Sequence, residues 1–272
     1  MNIEHMRIAE GAGLRLSRRL GALAGWVPAG ARLADIGTDH ALLPVYLAGE
    51  GKIRCAVAGD VHAGPVEAAK RQVAAAGLGG LISVRQGDGL SVLAPDEADT
   101  VCIAGMGGGL IARLLDEAGA RMEGVRTLVL SPHGAEDAVR RWLVEHRFVL
   151  DREALLEEDG IIYTLMRAVR TDDPAEAAQR NRALYEETLL APCKANVPLS
   201  RLFEMGPLLL REGDVAFRRK WEQEARKRER IVRQMRRSAG SGIADKISQW
   251  EADIAEIREV LVCLPEEKPS FS

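Results

Sequence analysis

The sequence predicts an α/β fold, in which a mostly parallel sheet is covered by helices on both faces and a smaller helical region follows. Three observations lead to this prediction. Short apolar runs alternate with helical patterns up to about Val169, and this alternation is typical of parallel sheets. Two of the runs end in a glycine turn that enters a helix. After Arg170 the pattern is helical throughout.

The strands of the sheet are predicted, in chain order, from the apolar runs. Helices are expected between them, for example over Gly64–Ala76 and Gly108–Ala118. The last two runs are joined only by Glu157–Gly160, a short turn that ends in Gly. Such a turn indicates a hairpin, so one edge strand should run antiparallel. The runs are Arg32–Ile36, Cys55–Asp60, Ile82–Gln86, Thr100–Ala104, Thr127–Ser131, Phe148–Leu156 and Ile161–Val169.

The same patterns predict three regions: a sheet domain over 1–170, a helical, coiled-coil-like domain over 171–264 and a disordered tail over 265–272. Thr171–Pro174 is typical of a helix start, because Asp residues precede a Pro in the first turn. The final helix carries an apolar stripe at heptad spacing. A Ser/Gly loop joins it to the preceding helix, so an antiparallel helical hairpin is expected. The stripe consists of Ile243, Ile247, Trp250, Ile254, Ile257 and Leu261.

A formal net charge of -3 hides a basic segment in the helical region. Between Arg211 and Arg237 there are 11 Lys or Arg residues against 5 Asp or Glu residues. Such a surplus is typical of a surface that contacts nucleic-acid phosphates, although a solvated helix face with Glu partners gives a similar pattern. The basic residues expected to contact RNA are Arg218, Arg219, Lys220, Arg226, Lys227, Arg230 and Arg233, together with Arg18 and Arg19 near the sheet.

Other classes of protein are disfavoured by composition. No apolar run approaches the roughly 20 residues of a membrane span, and the N-terminal residues lack the apolar core of a signal peptide. The four cysteines are far apart and form no CxxC motif, so free thiols are expected and no metal site is predicted. We therefore expect a cytoplasmic monomer that does not bind membranes.

The two glycine turns predict a nucleotide-like ligand, because ligands of open parallel sheets lie at the carboxyl ends of strands. The first turn, Gly37–Ala41, has one glycine and places Asp39 where a dinucleotide site needs a second. A carboxylate there repels pyrophosphate and suits a ligand with a positive centre and a free amino group. S-Adenosylmethionine (SAM) has both, as a sulfonium and an α-ammonium group.

The residues expected to hold SAM lie at successive strand ends. Asp60 follows the second strand, about 20 residues after the turn, where an acid usually binds ribose hydroxyls. Asp88 follows the third strand and can accept the adenine amino group. A helix cap for Asp60 and a turn carboxylate for Asp88 are the alternative roles. The full set is Asp35, Ile36, Gly37, Thr38, Asp39, Asp60, Val61, Asp88, Gly89, Ala104, Gly105, Met106 and Gly107.

Several segments resemble the bacterial tRNA (adenine-22-N1)-methyltransferase family, TrmK, whose members are class I SAM-dependent methyltransferases. The resemblance covers nearly the whole chain. It implies a Rossmann-like methyltransferase domain followed by a helical, coiled-coil-like domain, with SAM as cofactor and tRNA as partner. The segments are Leu16–Leu20, Leu33–Pro44, Ile103–Gly108, Glu157–Tyr163 and Gly206–Leu209.

Two positions depart from the family pattern. Ser131–His133 stands where the family usually has a Gln-Pro-Asn-like segment, and Asp60 stands where it usually has Glu. The second change keeps the charge and shortens its reach. The first leaves the target nucleotide open, so another RNA or another base is the alternative substrate.

The chemistry of adenine N1 suggests how the residues act. N1 has a free lone pair, so methyl transfer needs alignment and negative potential rather than a strong base. Asp39 is expected to supply this potential, with a helix cap as its alternative role. His40 and His133 lie at predicted strand ends and are candidates to stack on, or hydrogen-bond to, a base drawn out of the RNA.

Two further classes remain as alternatives. A nicotinamide-linked oxidoreductase uses a similar sheet, but Asp39 and the missing second glycine argue against it. A non-catalytic RNA-binding protein could keep such a pocket as a relic, and the retained acids at the strand ends argue against this reading.

Overall fold

A computed structural model describes residues 10–11, 14–186, 197–237 and 243–264. Its strands are β1 (Glu10–Gly11), β2 (Leu14–Arg15), β3 (Ala31–Ile36), β4 (Ile53–Asp60), β5 (Ile82–Gln86), β6 (Thr100–Met106), β7 (Thr127–Pro132), β8 (Phe148–Glu158) and β9 (Ile161–Arg170). β1 and β2 form a short hairpin that the sequence patterns did not predict, and each predicted apolar run is a strand of the main sheet.

The main sheet has the order β5-β4-β3-β6-β7-β9-β8. β3 pairs in parallel with both β4 and β6, β4 with β5, and β6 with β7. Among the described strands of this sheet, the direction reverses only in the last hairpin, where β9 is antiparallel to both β7 and β8. The α/β fold and the edge hairpin are therefore confirmed. The strand that runs opposite to the parallel strands is β9, which lies between β7 and β8. The outermost strand, β8, therefore runs in the same direction as the parallel strands.

Helices cover both faces of this sheet. The first is capped by Ser17, whose Oγ accepts a hydrogen bond from Leu20 N at 3.2 Å. Central strands are buried on both faces, as shown by Leu33, Val101 and Val129, which are almost completely inaccessible. The helices are α1 (Arg18–Trp26), α2 (Leu42–Gly49), α3 (Ala63–Ala75), α4 (Gly108–Glu117), α5 (Glu136–Glu145) and α6 (Pro174–Leu184), with 3-10 turns at Gly89–Val92 and Gly119–Met122.

The C-terminal region contains α7 (Leu199–Met205), α8 (Pro207–Glu212), α9 (Val215–Arg237) and α10 (Ala244–Cys263). α9 and α10 form the predicted antiparallel hairpin. Arg218 near the start of α9 donates to Leu261 O near the end of α10 at 2.9 Å, and Glu229 is ion-paired with Arg258. Gly206, with a φ of 93°, separates α7 from α8.

Ion pairs hold this helical unit together around Arg201 and Arg228. The Arg201 side chain is only 3% exposed and contacts Glu204 and Asp253. Arg228 contacts the same two acids, and its Nε donates to Glu224 at 3.0 Å. Arg228 can lie between buried Ala225 and Val232 on α9, because these acids neutralise its charge inside the helical unit.

The chain divides into two compact units, with Ala183 the last residue of the first unit and Leu184 the first of the second. This division falls later than the predicted boundary between residues 170 and 171. α6 accounts for the difference, because buried Asn181 donates its amide to Phe148 O at 3.1 Å and so ties α6 to the sheet. The predicted tail, residues 265–272, lies outside the described residues.

Among the described residues, no helix combines the length and the apolar character needed to cross a membrane. Within the same ranges, no group of three or more His, Cys, Asp or Glu side chains is arranged to hold a metal ion. Cys102 is buried, Cys263 is half-buried and Cys55 is exposed, and none of these three forms a disulfide.

Candidate active site

The glycine turn after β3 is tied to the neighbouring strand. Gly37 has a φ of 72°, a left-handed conformation that favours glycine. The backbone N–H groups of Gly37 and Thr38 both donate to Gly59 O, at 2.8 and 3.0 Å. Ile36 is buried and pairs with Gly59 in the sheet. These bonds fix the turn at the carboxyl end of β3.

The glycine loop after β6 lies against this turn. A methyl group added to Gly37 would overlap the end of the Met106 side chain. Gly105 has a φ of 83°, and a methyl group added to Gly108 would overlap the carbonyl of Ala135. The loop therefore needs glycine both for its backbone conformation and for close packing. Ala104 is half-buried just before it, and exposed Gly107 precedes the first turn of α4.

Asp35 lies beneath the first turn and is buried. Thr38 Oγ1 donates to its Oδ2 at 2.6 Å. Burial raises the pKa of the Asp35 carboxyl group to about 6; the hydrogen bond from Thr38 opposes this effect, and the charge of Asp60 adds to it. Asp35 therefore shapes the turn from below, whereas the acids described next point to the surface.

Asp39 and His40 are exposed at the tip of the first turn. Asp39 Oδ1 lies 3.3 Å from His40 Nε2. No side chain caps α2, so Asp39 does not have the alternative role of helix cap. His40 and Ala41 have φ values of 58° and 53°, a conformation that costs non-glycine residues about 1 kcal/mol each. A strained turn thus presents an available carboxylate.

Asp60 and Asp88 lie at the ends of β4 and β5. Gly87 N donates to Asp60 O at 3.0 Å, which brings the two strand ends together. Asp60 Oδ1 accepts a hydrogen bond from His62 N at 2.8 Å, a turn contact that leaves its other carboxylate oxygen available. Exposed Asp88 does not cap the 3-10 turn that begins at Gly89.

Val61 is an exposed apolar residue beside these acids. It is 50% exposed directly after Asp60, at the carboxyl end of β4. Beyond the neighbouring strand β5, Gly89 follows Asp88 with a φ of 50°, and a methyl group there would overlap Leu114. An exposed apolar side chain beside carboxylates is suited to a nucleoside, because the base can pack on Val61 while the acids accept its hydrogen bonds.

His133 lies beside the glycine loop and two residues that extend the site. Its backbone N–H donates to Met106 O at 2.8 Å, and its ring centroid is 5.2 Å from that of Tyr163. The Arg19 guanidinium carbon is 4.7 Å from the same Tyr163 ring centroid. Tyr163 was not among the residues predicted for the site. The available signal was the hairpin, which returns the start of β9 to the carboxyl ends of the parallel strands.

The residues predicted to contact RNA fall into two groups, of which the first binds within the protein. Arg18 Nη1 donates to Glu157 O at 3.2 Å, in the turn between β8 and β9. Arg218 donates to the carbonyls of Leu261 and Leu264 at 2.9 and 3.0 Å. These contacts give Arg18 and Arg218 structural roles that their sequence context did not indicate.

The second group lies along the solvent-facing side of α9. Some of its members have the acidic partners that the alternative interpretation requires, since Arg226 lies 3.6 Å from Glu222 and Lys227 lies 3.3 Å from Glu224. Lys220 Nζ lies 6.0 Å from the ring centroid of Trp221, the indole beside it on α9. The exposed members are Arg219, Arg226, Lys227, Arg230 and Arg233.

Comparison with known proteins identifies the family. The family model of tRNA (adenine(22)-N(1))-methyltransferases, TrmK, matches residues 33–259. A Bacillus subtilis protein with this activity as its name is 40% identical over 248 residues, which cover 91% of this chain and 96% of the relative. The chain belongs to the TrmK family. The resemblance inferred from the sequence is thereby confirmed, as are its SAM-dependent methyltransferase class and Rossmann-like fold.

Solved structures of the TrmK family agree with this fold. The B. subtilis m1A22 tRNA methyltransferase TrmK superposes with a TM-score of 0.80 at 37% identity, covering 91% of this chain and 99% of that one. A Streptococcus pneumoniae protein, solved in complex with S-adenosyl-L-methionine, superposes with a TM-score of 0.72 at 32% identity, covering 90% and 99%. The TrmK match includes both glycine loops and α9, whereas Arg18 and Arg19 precede it.

Proposed function

We propose that this chain transfers a methyl group from SAM to N1 of adenine 22 in tRNA. Membership of the TrmK family supports the reaction and the substrate. The observation that carries the proposal in the structure is the packing of Met106 against Gly37, which joins the two glycine loops into one site beside the strand-end acids.

The donors and acceptors of this site fit SAM. Asp60 keeps one carboxylate oxygen for ribose hydroxyls, and Asp88 is exposed at the next strand end to accept the adenine amino group. Gly37 gives the first turn its left-handed conformation, and Gly105 leaves room for close approach of the methionine part of the cofactor. Asp39, exposed on the first turn, provides negative charge for its ammonium or sulfonium group. SAM, when bound, supplies an electrophilic methyl group.

The side chains around the glycine loops position the base and stabilise charge. N1 becomes cationic as it is methylated, so the exposed carboxylate of Asp39 favours the product-like transition state. No strong base is required, because the N1 lone pair is free. His40 and His133, both exposed at the same edge, are placed to stack on or hydrogen-bond to the adenine ring.

A stripe of arginines on α9 provides the RNA surface of this proposal. Arg226, Arg230, Arg233 and Arg237 are exposed and separated by four, three and four residues, so they lie on one side of the helix over roughly 16 Å. Arg230 and Arg233 form no ion pair with any described residue. Because N1 lies on the pairing edge, binding energy from this stripe is needed to offset the few kcal/mol of base opening.

Position-resolved methylation tests the proposal. Unmodified tRNA transcripts carrying A22, and matched transcripts carrying G22, are incubated with the protein and SAM, digested and analysed by mass spectrometry. We expect 1-methyladenosine at position 22 only in the A22 transcripts. Methylation at another nucleotide would support the alternative RNA or base, with Ser131–His133 the first segment to examine. Binding of SAM and tRNA without methylation would support a non-catalytic role.

We also infer that the chain acts in the cytoplasm as a monomer, since its proposed substrate is free tRNA and each chain carries both glycine loops. Light scattering at assay concentration, with and without tRNA, tests the monomer. A dimer whose dissociation abolishes activity would contradict the proposed monomer.

A further inference from the structure

Arg19 places a positive charge at the end of β6. It is the second residue of α1, and its guanidinium carbon lies 4.7 Å from the Tyr163 ring centroid. A methyl group added to Gly105 would lie 3.8 Å from Arg19 Nη1. The aromatic face thus holds the cation against the glycine loop. Other charges in the site come from exposed or buried carboxylates, so Arg19 has the opposite sign to its surroundings.

One nitrogen of this guanidinium has no hydrogen-bond partner. Nη1 is buried, and no described residue accepts a hydrogen bond from it. Neighbouring Arg18 differs, because its Nη1 donates to Glu157 O. Arg140, which is fully buried, donates from its Nε to Glu153 Oε1 at 2.8 Å. A buried donor without an acceptor is unfavourable, so an acceptor from outside the protein is expected at Arg19.

The charge of the site indicates which acceptor this is. Exposed Asp39 suits the ammonium and sulfonium groups of SAM, but its charge repels the carboxylate of the cofactor. A planar guanidinium matches a carboxylate with two parallel hydrogen bonds. A guanidinium also matches a phosphate, so an RNA contact is the other outcome, which the binding experiment below separates from carboxylate binding.

We propose that Arg19 binds the carboxylate of SAM. This proposal rests on the proposed use of SAM as the cofactor. Tyr163 is the positioning residue, which keeps the guanidinium beside Gly105. The proposed ligand of Arg19 is therefore the cofactor and not the RNA that its sequence context predicted. Cofactor binding then also depends on Tyr163.

Binding of SAM and of decarboxylated SAM tests this assignment. Calorimetry with the full chain gives both dissociation constants for wild type, Arg19→Gln and Arg54→Gln. Arg54 is the matched control, an exposed arginine at the start of β4 and so at the opposite edge of the sheet. Arg19→Gln should weaken SAM binding roughly 10- to 100-fold, as expected for a lost charge-assisted pair, and leave decarboxylated SAM nearly unaffected. Arg54→Gln should change neither.

Substitutions of Tyr163 test the positioning role. Tyr163→Phe keeps the ring face under the guanidinium and should retain SAM binding. Tyr163→Leu removes the face and should weaken SAM more than decarboxylated SAM. Arg19→Lys keeps a charge without the planar fork and should recover part of the affinity. SAM binding that is retained in Tyr163→Phe but weakened in Tyr163→Leu would not arise if Tyr163 acted only in folding.

Several outcomes would overturn the assignment. Equal weakening of both ligands by Arg19→Gln, with a lowered melting temperature, would give Arg19 a structural role. Unchanged SAM affinity, with weaker tRNA binding and a shallower salt dependence, would make Arg19 an RNA contact. Absence of SAM binding by wild type would refute the proposed function itself, which separates that failure from the failure of the Arg19 assignment.

Discussion

Replacing Asp35 by Asn should increase the free energy of unfolding at neutral pH, because the ionised, buried Asp35 destabilises the folded protein. Burial raises the pKa of Asp35 from 3.8 to about 6; Thr38 opposes this by its hydrogen bond and Asp60 adds to it by its charge. Each pH unit between the unfolded and folded values corresponds to about 1.4 kcal/mol. The ionised Asp35 therefore lowers the free energy of unfolding by about 3 kcal/mol.

The direction of the pH dependence follows from proton binding. The folded protein holds the Asp35 proton more tightly than the unfolded chain, so the cost is absent below about pH 4. It grows as the pH rises to about 6, because the unfolded chain ionises first, and is constant above that. Asparagine does not titrate. The difference in unfolding free energy, variant minus wild type, should therefore increase by about 3 kcal/mol from about pH 4 to about pH 7.

Urea unfolding at a series of pH values measures this difference. Changes in packing or hydrogen bonding caused by the Asn amide are the same at every pH, so they cancel in the pH dependence. Thr38→Val provides a second test, since it removes the hydrogen bond that lowers the pKa of Asp35 and should move the transition to higher pH. NMR titration of carboxyl-labelled aspartate reports the pKa of Asp35 directly.

Two results would refute this reasoning about Asp35. One is an unfolding difference that varies by less than about 1 kcal/mol across the pH range. The other is an NMR titration in which the pKa of Asp35 is about 4, the ordinary value for an aspartate.

Three other substitutions test separate parts of the site. Gly37→Ala should weaken SAM binding at least about 10-fold by calorimetry, whereas Gly51→Ala, which has a similar backbone conformation but open space around it, should leave binding unchanged; equal effects would contradict this. Asp39→Ala should lower turnover at least about 100-fold, and near-wild-type turnover would exclude its assigned role. The double variant of Arg230 and Arg233 to Gln should make the salt dependence of tRNA binding shallower by about 1 to 2 in slope, and an unchanged slope would exclude contact there.

The strands of the sheet could be predicted because a strand that is buried on both faces is a short, continuous run of apolar residues. The predicted run Ile82–Gln86 matches β5, and Thr100–Ala104 falls short of β6 only by Gly105 and Met106. The shortfall arises because β6 continues through a glycine that periodicity treats as a break. The position of β9 inside the edge hairpin depends on pairing between distant strands, which no local pattern records.

The polar residues of the site were predicted less completely, because their partners come from other parts of the chain. Asp39 could be assigned to the first turn, but only the structure shows that it does not cap α2. Arg218 belongs to a basic run, yet its guanidinium binds carbonyls at the end of α10. Tyr163 reaches the site through the hairpin. A run of charged residues predicts that most of their side chains are exposed. It does not predict which guanidinium group donates a hydrogen bond to a carbonyl within the protein.

Three unfavourable features of the first unit lie close to the two glycine loops, and they support a ligand site there. Asp35 is buried with a raised pKa, Arg19 Nη1 has no acceptor among the described residues, and His40 adopts a left-handed conformation. By contrast, buried Arg140 is neutralised by Glu153. The buried, unpartnered nitrogen of Arg19 beside Gly105 supports binding at that position, because strain and unpaired polar groups persist where a ligand compensates for them.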